Sequence, residues 1–525
     1  MSRLPFALVL AALVATVAAS SPPPPERRVS RTALADKVRG GWAGQMIGVS
    51  FGAPTEFRSR GRIFEGELPW TPDRVENAIH QDDLYVEMTF AEVMDRRGLD
   101  ATTAEYGEMF RDSRYSLWHA NAGARRNLSR GIEAPRSGEP KYNVHANDID
   151  FQIESDFIGL MCPGLPREVN RYADRVGRVM NYGDGLYGGM LVGGLYAAAF
   201  FESDPRRVVE EGLKSIPAES SYAHVIRDVL AWHAAHPDDW RATWKLLEDK
   251  WDRDDVCPDG ALAPFNIDAR INGAYVVLGL LYGGGDFAKT LEVATRSGQD
   301  SDCNPSSAAG VLGVMLGYER IPERYRSGIP AIAGTRFEFT RYSFDEIVAS
   351  TLARAEKVVA RAGGRVSPTE VVVPVQAPMA PPLEQWDSGV PVARVAFDDA
   401  AWEWKGGWTT LSPEGAGSEE RVREAGGPGD EATFTFEGTG VAFVGRMSQE
   451  GGRADVWVDG VKAAPGIEAW VPERTHDNDY WHVTGLAAGE HRVRIVVRDD
   501  ADRRSHGRKV QIEGAIVYAE GRRQP

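Results

Sequence analysis

Cysteine is scarce in this chain, with Cys162, Cys257 and Cys303 the only three among 525 residues. So few thiols exclude a disulfide scaffold, and a large apolar core must hold the fold together. An oxidising compartment would pair two of them and leave one over, with Cys303 the expected odd one. Basic residues are also in short supply. Lys and Arg number 60 against 76 Asp and Glu, for a formal charge of −16. That balance argues against a general nucleic-acid binder, which needs clustered cations against phosphate. No run beyond the N-terminus approaches the roughly 20 apolar residues of a membrane span, so no transmembrane anchor is expected. A nucleotide-binding glycine loop, a haem motif and a Ser-His-Asp elbow are missing as well.

The N-terminus is expected to be an export signal over residues 1–19. Arg3 gives a positive start, residues 5–19 are apolar, and Val17-Ala18-Ala19 fits a small-residue cleavage pattern. Secretion or periplasmic residence follows from that expectation. The run Pro22–Pro25 then predicts a stiff spacer, taken as residues 20–32.

Residues 33–362 carry helical periodicity. Leu84, Met88, Ala91 and Met94 recur at spacings of three and four, as do Val225, Val229 and Trp232, and Phe344, Val348, Leu352 and Ala355. Thr102-Thr103 reads as a helix start. Glycines crowd two of the helical stretches: Gly40, Gly41, Gly44 and Gly48, then Gly310, Gly313 and Gly317. Each costs roughly 1 kcal/mol against Ala inside a helix, so their repetition predicts helices packed backbone to backbone. Prolines 368, 374, 378, 381 and 382 mark a linker over 363–390, extended or wrapped across a surface. From 391 to 521 the period falls to two, as in Thr433–Phe436, Ala454–Val458 and Val493–Val497, with turns at Asp459-Gly460 and Ala488-Gly489. A jelly-roll-like β-sandwich is expected there. The fold class is therefore multidomain, an all-α domain followed by β.

Three acidic strings carry the chemistry: Gln81-Asp82-Asp83, Asp148-Ile149-Asp150 with Glu154 and Asp156, and Asp300-Ser301-Asp302-Cys303-Asn304. Adjacent carboxylates repel, and burying them unpaired is costly. A hard divalent cation relieves that cost, and two Asp pairs suit a two-ion hydrolytic site. The alternative is that each pair caps the helix it precedes. Pro305 suits the first position of such a helix.

Gly52-Ala53-Pro54-Thr55-Glu56 resembles the Gly-x-Pro-x-Glu of ADP-ribosylglycohydrolases, the family of the dinitrogenase reductase-activating glycohydrolase. Asp82-Asp83 resembles that family's Thr-Asp-Asp. Gly298-Gln299-Asp300-Ser301-Asp302-Cys303, with Gly310, Gly313 and Gly317 behind it, resembles its Gly-x-Asp-x-Asp-Thr and glycine-rich helix. The likeness covers about residues 35–325. It implies an all-α domain with two Mg²⁺ ions, Mn²⁺ or Ca²⁺ being alternatives, held by Asp82, Asp83, Asp300 and Asp302. Gln81 and Cys303 stand where the family has Thr and complete the metal set. Gly48-Val49-Ser50 replaces a usual Gly-Asp-Ala, and Asn181-Tyr182-Gly183-Asp184 stands where a His often approaches the ligand. The resemblance makes Glu56 the candidate catalytic residue, as general base or water positioner. It implies hydrolysis of an N- or O-glycosidic bond of ADP-ribose or a related furanosyl sugar by water.

A sugar pocket is expected from Asp150, Glu154, Asn181 and Tyr182, with Asp150 and Glu154 one helical turn apart. In the β region, Trp402, Trp404, Trp408, Trp457, Trp470 and Trp481 either stack on polysaccharide or fill the core. That region loosely resembles galactose-binding-like modules. Asp477, Asn478 and Asp479 read as a calcium loop or an ordinary turn. Three other functions stay open: an exported, non-catalytic sugar- or nucleotide-sugar-binding protein, a structural domain, and a metal-free two-carboxylate glycosidase.

Overall fold

A computed structural model of the chain describes residues 25–252, 255–412, 421–472 and 479–521. The expected signal, and Asp477 and Asn478 of the expected calcium loop, lie outside the described residues. No helix among those described is long and apolar enough to cross a membrane.

The helical domain is built around two helices, Arg31–Gly52, enclosed from Gly40 onward, and Cys303–Leu316, buried almost throughout. The first starts at Ser30, whose Oγ accepts from the amide of Ala33 at 3.1 Å. The glycine stripe does what its repetition predicts. A Cβ on Gly44 would lie 2.1 Å from the carbonyl oxygen of Ala309, and one on Gly48 2.2 Å from that of Pro305. Gly40 and Gly313 exclude each other's Cβ in the same way. No side chain larger than hydrogen fits, so the helix axes are held at backbone contact. Trp42, fully buried, projects from the other side and donates to Thr351 Oγ1 at 3.1 Å.

The periodic segments form helices Asp82–Arg97, Ser221–Ala235 and Phe344–Arg361. Thr102 forms a full capping box with Glu105. Pro305 is third in its helix, not first, because the helix already begins at Cys303. Its missing N–H is still one of the four that a helix start leaves unpaired.

Both Pro-rich segments are shorter than expected. The spacer taken as 20–32 gives way to a strand, Glu26–Ser30, and then to the first helix. That strand pairs antiparallel with Glu370–Pro374, which also pairs with Arg365–Val366, inside the segment taken as linker. Beyond it the chain wraps the helical surface. Asn170 donates to the Met379 carbonyl at 2.9 Å, and Arg178 pairs with Glu384.

The C-terminal part forms two antiparallel six-stranded sheets. One centres on Glu431–Gly438 and Gly489–Val497, the other on Gly440–Arg446 and Val510–Ala519. They share a core to which Phe434, Val456 and Val493 contribute from one sheet and Phe443, Ile512 and Val517 from the other. The tryptophans divide. Trp402, Trp408 and Trp481 are buried in that core, with Trp404 packed against it. Trp457 lies under Arg494 and Trp470 under Arg504. Trp402→Ala should therefore destabilise the β region by about 3–5 kcal/mol, as loss of a core aromatic does. Circular dichroism melting checks this. An unchanged melt would return the ring to the surface.

Loop 255–268 of the helical domain joins the two parts. Val256 and Ala261 pack with Ala442, Ile516 and Tyr518. Tyr518 donates to the Val256 carbonyl at 2.7 Å, and Arg394 Nε to that of Ala261 at 2.6 Å. All three cysteines are free and buried, so the disulfide considered from composition does not form.

Candidate metal-binding active site

The packed glycines set the site. Because the two central helices touch along their length, the end of the first meets the start of the second. A Cβ on Gly52 would fall 2.0 Å from the carbonyl oxygen of Ser301. Thr55 Oγ1 lies 2.8 Å from Ser301 Oγ, and the amide of Phe57 donates to the Gln299 carbonyl at 3.0 Å. Phe57 and Gln299 both take left-handed φ, 50° and 54°, unfavourable for side chains of this size. Gln299 is held there by its own amide, which donates to the Ser59 carbonyl at 2.8 Å. Its side chain also bridges the Pro264 carbonyl and the Asn266 amide.

This lock brings Glu56 against Asp302 and Asp82. Asp83, Asp300 and Asp302 are buried, as is Cys303. Ligand atoms of Asp300, Asp302 and Cys303 all lie within 4.8 Å of one another, a group that could hold a metal ion. Capping does not account for the acids. Gln81 and Asp302 occupy the N-cap positions of their helices, yet neither side chain makes a cap hydrogen bond. Asp83 Oδ1 and Asp302 Oδ1 are buried with no hydrogen-bond partner.

Electrostatics records the crowding. Burial, then Asp302 and Asp82, pushes Glu56 up to about 8. Burial and nearby acids push Asp300 up to about 7 and hold Asp302 and Asp83 well above the ordinary range. Divalent ions fit this set, since oxygen donors with unpaired lone pairs are what hard cations take. Cys303 fits such an ion poorly. It packs instead with Ile149, Ile153, Cys257, Phe265 and Ile267.

Of the expected pocket residues, Asp150 and Glu154 lie together, both bonded to Asn121, with Asn181 on the neighbouring Phe151 amide, while Tyr182 faces another way. Both oxygens of Asp150 accept backbone amides, from Ala120 at 3.1 Å and Asn121 at 2.9 Å, at the start of helix His119–Ser129. Asn181 bridges the Phe151 amide to the carbonyls of Ala146 and Asp148. Tyr182 feels Glu384 and Arg178 on the linker side. Glu154 is closer to the acids. It is fully buried, accepts from Asn121, and feels the charge of Asp82 and Asp83. Its Oε2 has no partner.

Two supporting groups escaped sequence reasoning. Asn272 Oδ1 accepts from Asn304 Nδ2 at 2.9 Å and from the Asp300 amide at 3.4 Å, steadying the second Asp pair. A buried Asn in the apolar helix Ala269–Gly283 was the available signal. Glu87, one turn after Asp83, accepts from the Phe157 amide at 2.8 Å and faces Asp156.

A family model for ADP-ribosylglycohydrolase matches residues 30–361. The chain belongs to the ADP-ribosylglycohydrolase family. Among solved structures, an ADP-ribosylglycohydrolase-related protein complex is 16% identical over 62% of this chain and 99% of that one, with a TM-score of 0.41. A Paenibacillus xanthan lyase is 10% identical over 29% and 15% of the two chains, with a TM-score of 0.21. A two-domain esterase active on acetylated mannans is 15% identical over 34% and 47%, also with a TM-score of 0.21. No curated protein matches the chain.

The ADP-ribosylglycohydrolase domain should carry the imprint of its raised carboxyls. Glu56 at about 8, and Asp150, Asp156 and Asp300 at about 7, bind protons more tightly folded than unfolded. Stability from such groups is full below the unfolded range near 4 and is lost as pH rises through 7 to 8. In excess EDTA, the melting temperature should fall by several degrees between about pH 5 and about pH 8. Calorimetry at a series of pH values checks this. A flat or rising profile would contradict the crowding.

Proposed function

We propose that the helical domain is a divalent-cation-dependent glycohydrolase, cleaving an N- or O-glycosidic bond of ADP-ribose or a related furanosyl sugar. The observation that carries this is the convergence of five acids on one point, two with buried, unpartnered oxygens. Asp82, Asp83, Asp300 and Asp302 would hold two ions of the Mg²⁺ class, with the Gln81 amide in reach. Bound there, such ions supply fixation and polarisation of vicinal sugar hydroxyls.

Of the five acids Glu56 has the most open side chain, although its carboxyl end is enclosed beside Asp302 and Asp82. Cations held by those two acids would favour its ionised form. That places it to orient an entering water and take its proton as the water oxygen bonds to the anomeric carbon. The glycosidic bond breaks as that bond forms, the leaving group keeps the electron pair and takes a proton from solvent, and Glu56 returns its own proton to solvent. Glu56→Gln keeps the shape and removes the base. It should lower kcat by about 100-fold or more with little change in KM, the usual worth of a positioned base. A parallel rise in KM alone would make Glu56 a binding residue.

An export signal over residues 1–19 would put the substrate outside the cytoplasm, which would favour a free or glycan-bound furanoside. Glycan retention by the β region would depend on rings outside its core, such as Trp386, 42% exposed on the linker. The deciding experiment is calorimetric titration of ADP-ribose, and of a panel of pentoses and oligosaccharides, with and without Mg²⁺. Mg²⁺-dependent binding of ADP-ribose that is lost in Asp302→Ala supports the family's usual substrate. Metal-dependent binding of a sugar but not ADP-ribose identifies a glycosidase with an altered pocket. No metal-dependent ligand in the panel defeats the reading.

A further inference from the structure

A second convergence lies across the small apolar cluster from the carboxylate site. His119 starts helix His119–Ser129, His145 and Asp148 sit in the turn before Asp150, and Cys257 comes from the loop docked on the β region. One ligand atom from each of the four lies within 4.8 Å of the other three. His145 Nδ1 is 2.7 Å from Asp148 Oδ2, and His119 Nδ1 is 3.8 Å from the same oxygen. His145 and Asp148 are each 1% exposed, and Cys257 is fully enclosed.

A plain His–Asp ion pair leaves too much unexplained. It uses His145 Nδ1 and one oxygen of Asp148, while His119 Nδ1, His145 Nε2 and Asp148 Oδ1 are buried without a hydrogen bond, Asp259 and Asp479 coming only to 3.9 Å from His119 Nδ1 and 3.7 Å from His145 Nε2. A Cys-His-Asp nucleophile fails for another reason, since the thiol cannot be reached by a substrate. The donor set itself is telling. Two imidazoles, one thiolate and one carboxylate from three separate chain segments make the tetrahedral N/S/O environment typical of zinc, and unlike the all-oxygen set around Asp302. A tetrahedral zinc holds its ligand atoms roughly 3.3–3.8 Å apart, so small side-chain rotations would close the group around it.

We propose that His119, His145, Asp148 and Cys257 form a site for one zinc-class transition-metal ion, separate from the carboxylate centre and independent of the glycohydrolase reading. Its placement gives it a structural task. Cys257 lies between Val256 and Ala261, whose carbonyls accept from Tyr518 and Arg394 of the β region. Asp479, also from the β region, comes to 3.7 Å from His145 Nε2 and pairs with Arg126. An ion here would pin the docking loop to the helical domain beneath the junction.

The test uses the full-length protein, loaded with Zn²⁺ or Co²⁺ and dialysed free of excess. Elemental analysis should find about one zinc per chain, and zinc should raise the melting temperature. The Co²⁺ form should show a near-ultraviolet thiolate charge-transfer band. Cys257→Ser and His145→Ala should lose zinc and band, while Asp302→Ala keeps both. The wild-type measurements need no variant to fold. Less than about a tenth of an equivalent of zinc after loading, or no thiolate band, would overturn the proposal. So would a band that survives Cys257→Ser, which would assign the thiolate to Cys303.

Discussion

Asp302→Asn should make the metal-free protein more stable and, at the same time, abolish its stabilisation by Mg²⁺ or Mn²⁺. The two effects have opposite signs because they come from the same crowding. Asp302 is buried, and Asp300 and Asp82 hold its carboxyl in the protonated form well above the ordinary range. Above neutral pH the folded state must ionise these groups side by side or keep protons that water would remove. An amide at 302 removes one member of the repelling set with little change in volume, so the melting temperature in EDTA should rise. The same amide removes an anionic donor. Since even an indirect ligand contact is worth 10–100-fold, affinity for the divalent ion should fall by at least about 100-fold. Differential scanning calorimetry with EDTA and with excess Mg²⁺ reads both effects. An acid serving only to start its helix gives another pattern: Asn caps as well as Asp, so neither condition would move. Loss of stability in EDTA would show that Asp302 carries structural load in the free protein.

Gly48→Val should be among the most damaging substitutions in the helical domain. The new Cβ alone would stand 2.2 Å from the Pro305 carbonyl oxygen, a backbone atom with no room to retreat. Overpacking of this kind costs about 3 kcal/mol or more when backbone must shift. Relief requires the two central helices to separate, and their ends carry Glu56 and Asp302. A displacement near 1 Å at such groups costs about 100-fold in rate. A stable variant with full activity would show that the helices can part without moving the site. Gly98→Ala is the contrasting control. Its φ of 93° strains any side chain, but nothing stands within 4 Å. It should lower stability modestly and leave the site intact.

The parts legible in the sequence were those whose cause is local. Helix Asp82–Arg97 shows in its apolar spacing, and the capping box at Thr102 in two residues. The glycine stripe pointed to close helix packing, and the structure puts Glu56 and the Asp300–Asp302 pair where the ends of the two striped helices meet. What stayed hidden depends on partners far away in the chain. Strand Glu26–Ser30 looks like a tail until Glu370–Pro374 pairs with it. Asp150 stood out by its acidic string and Asn181 by its place in the family pattern, while their hydrogen bonds to backbone that only the folded chain brings close left no trace in the sequence. The His119, His145, Asp148 and Cys257 group follows no motif spacing, because its residues are assembled by docking of the 255–268 loop. The tryptophans were undecided in sequence because core and sugar platform use the same side chain.

The pairing of Glu26–Ser30 with Glu370–Pro374 has a consequence for the order of assembly. The earliest described strand has no partner until some 340 residues later, and the first helix, which packs earlier on Val75 and Leu160, lacks its main partner until Cys303–Leu316 has appeared. A chain made at the ribosome, or threaded through a membrane from its amino end, must keep this apolar helix waiting. Such long-range closure slows folding and leaves apolar surface open meanwhile. Biogenesis of this protein should therefore lean on holdase chaperones.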